Sequence, residues 1–192
     1  MKIEEVDILI IGAGPSGCVA AGYLEQQHAK IKIVERSTFP RLVVGESLIP
    51  RVMDHFAEAG LLEDLSAQQF QKKPGARFIR GEVISIFDFS DKFGEGWDWT
   101  WQVPRADFDM TMCQTLIRKG VDIAFETTVT AVQFEGRSST ITTVDKHGNE
   151  QQIHAKFLID CSGYGRVLPR LLKLDKPSQL NPHSAIFTHV HD

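Results

Sequence analysis

The sequence has no apolar stretch approaching the roughly 20 consecutive residues that a membrane-spanning helix needs, which excludes such a span. It has no run of lysine or arginine, and its 21 basic side chains are outnumbered by 25 acidic ones, for a net charge of −4. Nucleic acid is therefore not an expected partner, because surfaces that hold it are basic. Cysteine is scarce: Cys18, Cys113 and Cys161 are odd in number and scattered. They form no readable disulfide framework, and a reducing, cytoplasmic setting is the expectation. The opening MKIEEVDILIIGAG carries Glu4, Glu5 and Asp7 and runs straight into a strand-like segment, so it does not read as a signal peptide. No linker, internal repeat or metal site is expected. What remains is an ordinary globular composition, 42% hydrophobic and 24% charged over 192 residues, enough for a sizeable core in one domain or one and a half.

Tryptophan is the second scarcity, and it is concentrated. All three tryptophans fall in WDWTWQVPR, at positions 97, 99 and 101. Alternation at period two predicts a strand with one bulky aromatic face. Its simplest reading is a core-facing strand.

The N-terminal segment carries a fuller signal. VDILII is a continuous apolar run, as in a central parallel strand buried on both faces. GAGPSG follows at once, PSGCVAAGYLEQQ reads as a helix, and IKIVE as a second strand. The glycines stand at Gly12, Gly14 and Gly17. In a dinucleotide-binding turn the first glycine makes the tight bend, the second lets backbone approach a pyrophosphate, and the third allows close packing of the helix. The helix N-terminus adds free N–H groups and the positive end of a dipole. Glu35 ends the second strand 18 positions past Gly17, where a carboxylate would accept hydrogen bonds from a ribose. These features predict a dinucleotide; alone they do not separate FAD from NAD.

The other segments predict a coarse architecture. PRVMDHFAEAGLLEDL has near-helical apolar spacing and predicts one or two helices. ARFIRGEVISIFDFS and the tryptophan segment are strand-like, and residues 70–104 are expected to contribute strands to a second, substrate-side sheet. RADFDMTMCQTLIRKG predicts a helix with Asp107 as N-cap and Gly120 as its stop. VDIAFETTVTAVQF is strand-rich, and STITTVDKHGNEQQIHA predicts a hairpin turning at KHGN. AKFLIDCSG would return as a buried strand to the nucleotide-binding sheet. DCSGYGR then ends that strand at Asp160 in a glycine turn before a short helix, a turn that serves either a cofactor or only the backbone. The fold class that follows is α/β: a Rossmann-like three-layer dinucleotide-binding fold with a β-meander and the start of an antiparallel substrate sheet, residues 1–192 forming one unit.

ERSTFPRLVVGESLIP is dense in arginine, proline and glycine for a connector. FPR followed by GES and proline, with GAGPSG, WTWQVPRADFD and DCSGYGR in the same order, resembles the flavin-dependent halogenases and the related geranylgeranyl-reductase-like flavoproteins. These stand within the larger superfamily of FAD enzymes that includes the aromatic hydroxylases, and the resemblance covers essentially the whole chain. It implies FAD as cofactor. It implies that Gly12, Gly14, Pro15, Ser16 and Gly17 form the phosphate turn, and that Glu35 and Arg36 lie at the ribose end. Arg41, Gly45, Glu46 and Ser47 would stand on the flavin side, and Arg105, Val129, Asp160 and Gly163 would add further cofactor contacts.

WTWQVP resembles the halogenase motif W-x-W-x-I-P, with Trp99, Trp101 and Pro104 in place and Val103 where isoleucine is usual. The resemblance implies a substrate-side wall that keeps the organic molecule from the flavin while a small oxidant passes. In QFQKKPGARF, Lys73 resembles the halogenase lysine, whose amine would capture and aim an oxidised halogen; as residues alone, Lys72 and Lys73 are equally a pair of solvated loop lysines. The implied activity is peroxyflavin-driven halogenation of a small, electron-rich organic substrate, with halide and a separate flavin reductase as partners. A reductase or dehydrogenase of the geranylgeranyl-reductase type, or another FAD-dependent dehydrogenase or monooxygenase, is the alternative, and a nucleotide-binding fragment without activity is a third. The sequence contains no Gly-Asp pair, the family's second cofactor motif, and its last residues FTHVHD read as strand. The chain is therefore expected to be an N-terminal portion of a longer enzyme.

Overall fold

The computed structural model describes residues 3–184 and 186–188 of the chain. The N-terminal unit forms as its pattern predicts: β1 (Ile3–Ile11), α1 (Pro15–Glu25) and β2 (Ile31–Val34). Proline at the start of α1 costs no intrahelical hydrogen bond there. Two short helices follow, α2 (Arg51–Glu58) and α3 (Leu62–Ala67), then β3 (Gln71–Lys73), β4 (Gly75–Arg80), β5 (Val83–Asp88) and β6 (Thr100–Gln102). Helix α4 (Arg105–Arg118) leads to β7 (Asp122–Ala124), β8 (Thr128–Glu135), β9 (Ser138–Val144) and β10 (Glu150–Asp160), and α5 (Val167–Leu171) closes the regular structure.

Six strands make one sheet in the order β7-β2-β1-β10-β9-β8. β7, β2, β1 and β10 run parallel, and β8, β9 and β10 form the antiparallel meander. Because strand side chains alternate, Ile10 and Ile33 face a core with Cys18, Phe108, Met112 and Leu116 of α1 and α4, while Leu9, Ile11 and Val34 face Val129, Ile141 and Ile153. Among the described residues α5 is the helix on that second face. The α/β fold with its meander is thus the one the sequence predicts.

Several local expectations are corrected. Asp107 is not the cap of α4: the helix begins two residues earlier, after Pro104, and Asp107 lies in its first turn. Gly120 does stop it, with φ +93° and N–H groups of Gly120 and Val121 closing onto the Ile117 and Leu116 carbonyls. The strand in the tryptophan segment is only Thr100–Gln102, with Trp97 and Trp99 before it. The second sheet resolves into two ribbons, β3-β6 and β4-β5, among the described residues. β10 is buried at Ile153 and Ala155, but its Phe157 is exposed. The terminal strand expected in FTHVHD lies outside the described residues from His189 onward, and Phe187 and Thr188 have no regular structure.

Thr100 is fully buried, and its Oγ1 has no hydrogen-bond partner. A buried hydroxyl without a partner costs about 1–3 kcal/mol. Thr100→Val, close to isosteric, is expected to raise unfolding stability by about 1 kcal/mol in a denaturant titration; a loss of stability would show that the hydroxyl is bonded.

Candidate functional site

A cleft of about 570 Å³ opens where the C-terminal ends of β1, β2 and β10 meet the glycine turn, and Gly12, Gly14, Glu35, Arg41, Arg105 and Val129 line it. Pro15, Ser16, Arg36 and Gly163 line it as well, so ten sequence-predicted residues converge on one place. Parallel sheets bind ligands at this end.

The three glycines of the turn differ in what they do. Gly12 has φ +101°, and a Cβ there would meet the Cys161 carbonyl oxygen at 2.6 Å. A Cβ on Gly17 would fall 2.0 Å from the Gly12 carbonyl oxygen. Both glycines are required by the protein itself. Gly14 is different: its φ is −74°, and a Cβ there would meet only Arg41 Nη2, at 3.7 Å. The protein's own packing does not require glycine at position 14. That open cradle, at the start of α1 and beside an arginine, fits a pyrophosphate.

Glu35 is 3% exposed. Its Oε2 accepts from the Ala13 N–H at 3.0 Å, and its Oε1 accepts from the Ser37 N–H at 2.8 Å and from Arg41 Nη1 at 3.0 Å. The carboxylate thereby fixes the glycine turn and the arginine together. Arg41 also stacks over the Phe39 ring at 4.4 Å, and its buried Nε has no partner. Arg41 therefore sits at the glycine turn, bonded to Glu35 and near Asp109.

Asp109 was missed in the sequence. It is wholly buried on α4, where its two oxygens accept from Arg105 Nε and Nη2 at 2.8 and 2.9 Å, and Arg41 Nη2 lies 3.7 Å away. The signal was there as an Arg–Asp pair at i, i+4 on one helix. Arg105 in turn donates from Nη1 to the Gly45 carbonyl at 3.3 Å, with Gly45 at φ +118°. One run of charged groups thus ties the glycine turn to the Gly45–Ser47 loop.

Asp160 does not line the cleft. Its Oδ1 accepts from the Ser162 N–H and its Oδ2 from the Leu168 N–H, both at 2.9 Å, so it shapes the turn ahead of α5. The cleft wall behind that turn is Cys161, whose thiol burial pushes above its usual range.

The Gly45–Leu48 loop, the tryptophan segment and the lysine segment meet on the far side of Gly45. Val103 N–H donates to the Glu46 carbonyl at 2.9 Å, and Ser47 bridges to Gln102. On the other edge of β6, Lys72 pairs with Trp101 and Lys73 with Thr100. Directly opposed residues share a face, so Lys72 lies with the tryptophans and Lys73 on the reverse side. Lys72 Nζ stands 4.4 Å from the Trp99 ring centroid, whereas Lys73 Nζ donates to Ser47 Oγ at 2.6 Å and to the Leu48 carbonyl at 2.8 Å. Burial lowers the Lys73 amine below the usual lysine range.

The three tryptophan rings stack edge to face in a row, and Trp101, 5% exposed, belongs to the core under α4. Trp99 and Trp101 thus pack against core on the side away from Lys73. Pro104 and Glu46 line a second cleft of about 580 Å³ with Gln69, Gln71 and Gln102. No helix among the described residues is long and apolar enough to cross a membrane.

A family model described as an FAD binding domain matches residues 5–179. A tryptophan 2-halogenase of Chondromyces crocatus is 30% identical over 158 residues, which cover 81% of this chain and 30% of that protein. The structure of a flavoprotein/dehydrogenase from Cytophaga hutchinsonii is 53% identical, with a TM-score of 0.89 over 93% of this chain and 44% of that one. The myxobacterial chondrochloren halogenase is 30% identical, with a TM-score of 0.74 over 82% of this chain and 37% of its own. The chain spans less than half the length of these three proteins.

Proposed function

Because the chain belongs to the FAD binding domain family, we propose that it forms the cofactor-holding part of a flavin-dependent halogenase acting on a small, electron-rich organic molecule. FAD bound here would, once reduced, supply the electrons that activate dioxygen for oxidation of a halide. The chain's own residues bind, orient and aim. Gly14 and the start of α1 admit the pyrophosphate, with Arg41 beside it, and Glu35 accepts from the ribose. Arg105, held by Asp109, fixes the Gly45 carbonyl and so the loop that borders the flavin. Lys73, bonded to Ser47 and Leu48 of that loop, is the amine that receives the oxidised halogen and directs it to carbon.

The observation that carries this reading is that a lysine from a separate segment is tied to Ser47 and Leu48, on the face of β6 turned away from the tryptophan-lined core. Exposed Phe78, Ile79, Val83, Ile84, Ile86 and Phe87 on β4 and β5 suit strands that would join a substrate-side sheet in a longer protein. A separate flavin reductase would provide the reducing equivalents. The test is incubation of the whole protein with reduced FAD, dioxygen and bromide or chloride, using free tryptophan and a carrier-bound pyrrole-2-carboxylate as probes. A product carrying the isotope pattern of the halogen supports the reading.

A second reading, a flavin dehydrogenase that acts on a carbon–carbon double bond, is favoured by the 53% identity to the flavoprotein/dehydrogenase of Cytophaga hutchinsonii. Loss or gain of two hydrogens in the product, with no dependence on halide, would select it.

The ribose assignment has its own check. Glu35→Gln preserves size but turns one acceptor into a donor, and it spares more of the Ala13 and Ser37 contacts than alanine would. It is expected to weaken ADP and FAD alike by about 1–3 kcal/mol. Unchanged affinity for both in a folded variant would place the ribose elsewhere.

A further inference from the structure

The Lys73 side chain does not extend along its own ribbon. It crosses β6, so that an amine rooted opposite Thr100 reaches a loop on the other edge of that strand. An ammonium has three N–H donors. Here one goes to the Ser47 hydroxyl oxygen at 2.6 Å and one to the Leu48 carbonyl at 2.8 Å, and the group stands 5.2 Å from the Phe89 ring centroid. Thr100, on the same face by register, brings a buried hydroxyl without a partner. The amine is therefore held at one point by two oxygens of the Gly45–Leu48 loop, on a face that carries a further unspent polar group.

We infer that Ser47 is the positioning residue for Lys73: its hydroxyl oxygen holds the amine in place. This rests on the reading of Lys73 as the halogenase amine. The chemistry asks for the fixed position. A lysine without a fixed partner samples many rotamers, and a loosely held amine would not present an oxidised halogen to one carbon. Acceptance of a hydrogen bond by Ser47 favours the ammonium, while burial opposes it. Charged and titratable groups on the neighbouring elements include Glu46 on the loop, Lys72 turned onto Trp99, and Asp88, whose carboxylate is bonded to Ser90. The neutral partner Ser47 is the one that a single substitution can remove without altering charge, and it is exposed enough to be changed without harm to the core.

The test is an NMR titration of the Lys73 amine in the 192-residue chain with labelled lysine, compared among wild type, Ser47→Ala and Ser47→Thr. Ser47→Ala is expected to move the Lys73 midpoint downward, because burial then acts with one fewer acceptor against it, and to leave Lys72 in place. Ser47→Thr, which restores a hydroxyl, is expected to return the midpoint toward wild type. A Lys73 midpoint that does not move, moves upward, or moves equally in both variants overturns the inference. A purely structural role for Ser47 would change melting temperature and leave the midpoint alone. The titration needs no halide or substrate. A shifted midpoint together with halogenation that survives Lys73→Ala would therefore reject the halogenase reading and leave the positioning role standing.

Discussion

Gly14→Val is expected to leave the unliganded protein folded and near wild-type stability while lowering its affinity for FAD on the order of 100-fold, or about 3 kcal/mol. The reason lies in the difference between the glycines of one turn. At Gly14 the backbone is extended, with φ −74° and ψ −178°, a conformation open to any residue, and a Cβ would meet nothing closer than Arg41 Nη2 at 3.7 Å. The added isopropyl group would instead occupy the space where backbone and pyrophosphate approach. Gly17→Ala is the control, because its Cβ would lie 2.0 Å from the Gly12 carbonyl oxygen and must displace the turn. Thermal melting and flavin titration of both variants separate the two effects. A Gly14→Val protein that is purified yellow with full flavin occupancy would show that the phosphates bind elsewhere.

Lys73→Ala, in the longer protein, is expected to abolish halogenated product while changing FAD affinity little. The amine stands across β6 from the tryptophan core and on the far side of Gly45 from the glycine turn, so its loss leaves the ADP contacts untouched. Lys73→Arg is expected to fail as well: a guanidinium stays protonated and cannot act as a nucleophilic amine. Lys72→Ala removes only a cation–π contact with Trp99, worth about 0.5–1 kcal/mol at a partly exposed site, and should retain most product. Mass spectrometry of the three variants against wild type checks this. Halide-dependent product from Lys73→Ala, or none from wild type on the probes with two-hydrogen chemistry in its place, would favour the dehydrogenase reading.

The N-terminal βαβ unit, the meander and the helix at Arg105–Arg118 were legible because each rests on local signals: a two-sided apolar strand, glycine spacing, a glycine stop. Ten of the residues singled out in the sequence line a single cleft. The failures come from groups that meet through space. Arg41 follows Glu35 by six positions, yet it folds back onto that carboxylate, a reversal that no periodicity shows. Asp109 looked like one more polar helix residue until burial and two arginines defined it. The scattered Cys18 and Cys113 come within 3.8 Å of each other, as free thiols, under the Ala13 carbonyl. The period-two tryptophans predicted a longer strand than the three residues found, because the rings stack on one another in a row instead of spreading over a sheet. The side of β6 on which each lysine lies depends on strand register, which the sequence KK does not carry.

One dinucleotide is expected to run from the glycine turn, past the Arg41–Asp109–Arg105 link, to the loop that holds Lys73. Backbone and lysine side-chain NMR of the labelled 192-residue chain, titrated with ADP and then with FAD, tests it most directly. ADP is expected to perturb Gly14, Glu35 and Arg41 and to leave Lys73 unmoved, whereas FAD perturbs those residues and also Gly45, Ser47 and the Lys73 amine. FAD shifts confined to the residues that ADP already moves, or FAD shifts that spare the glycine turn, would contradict the account.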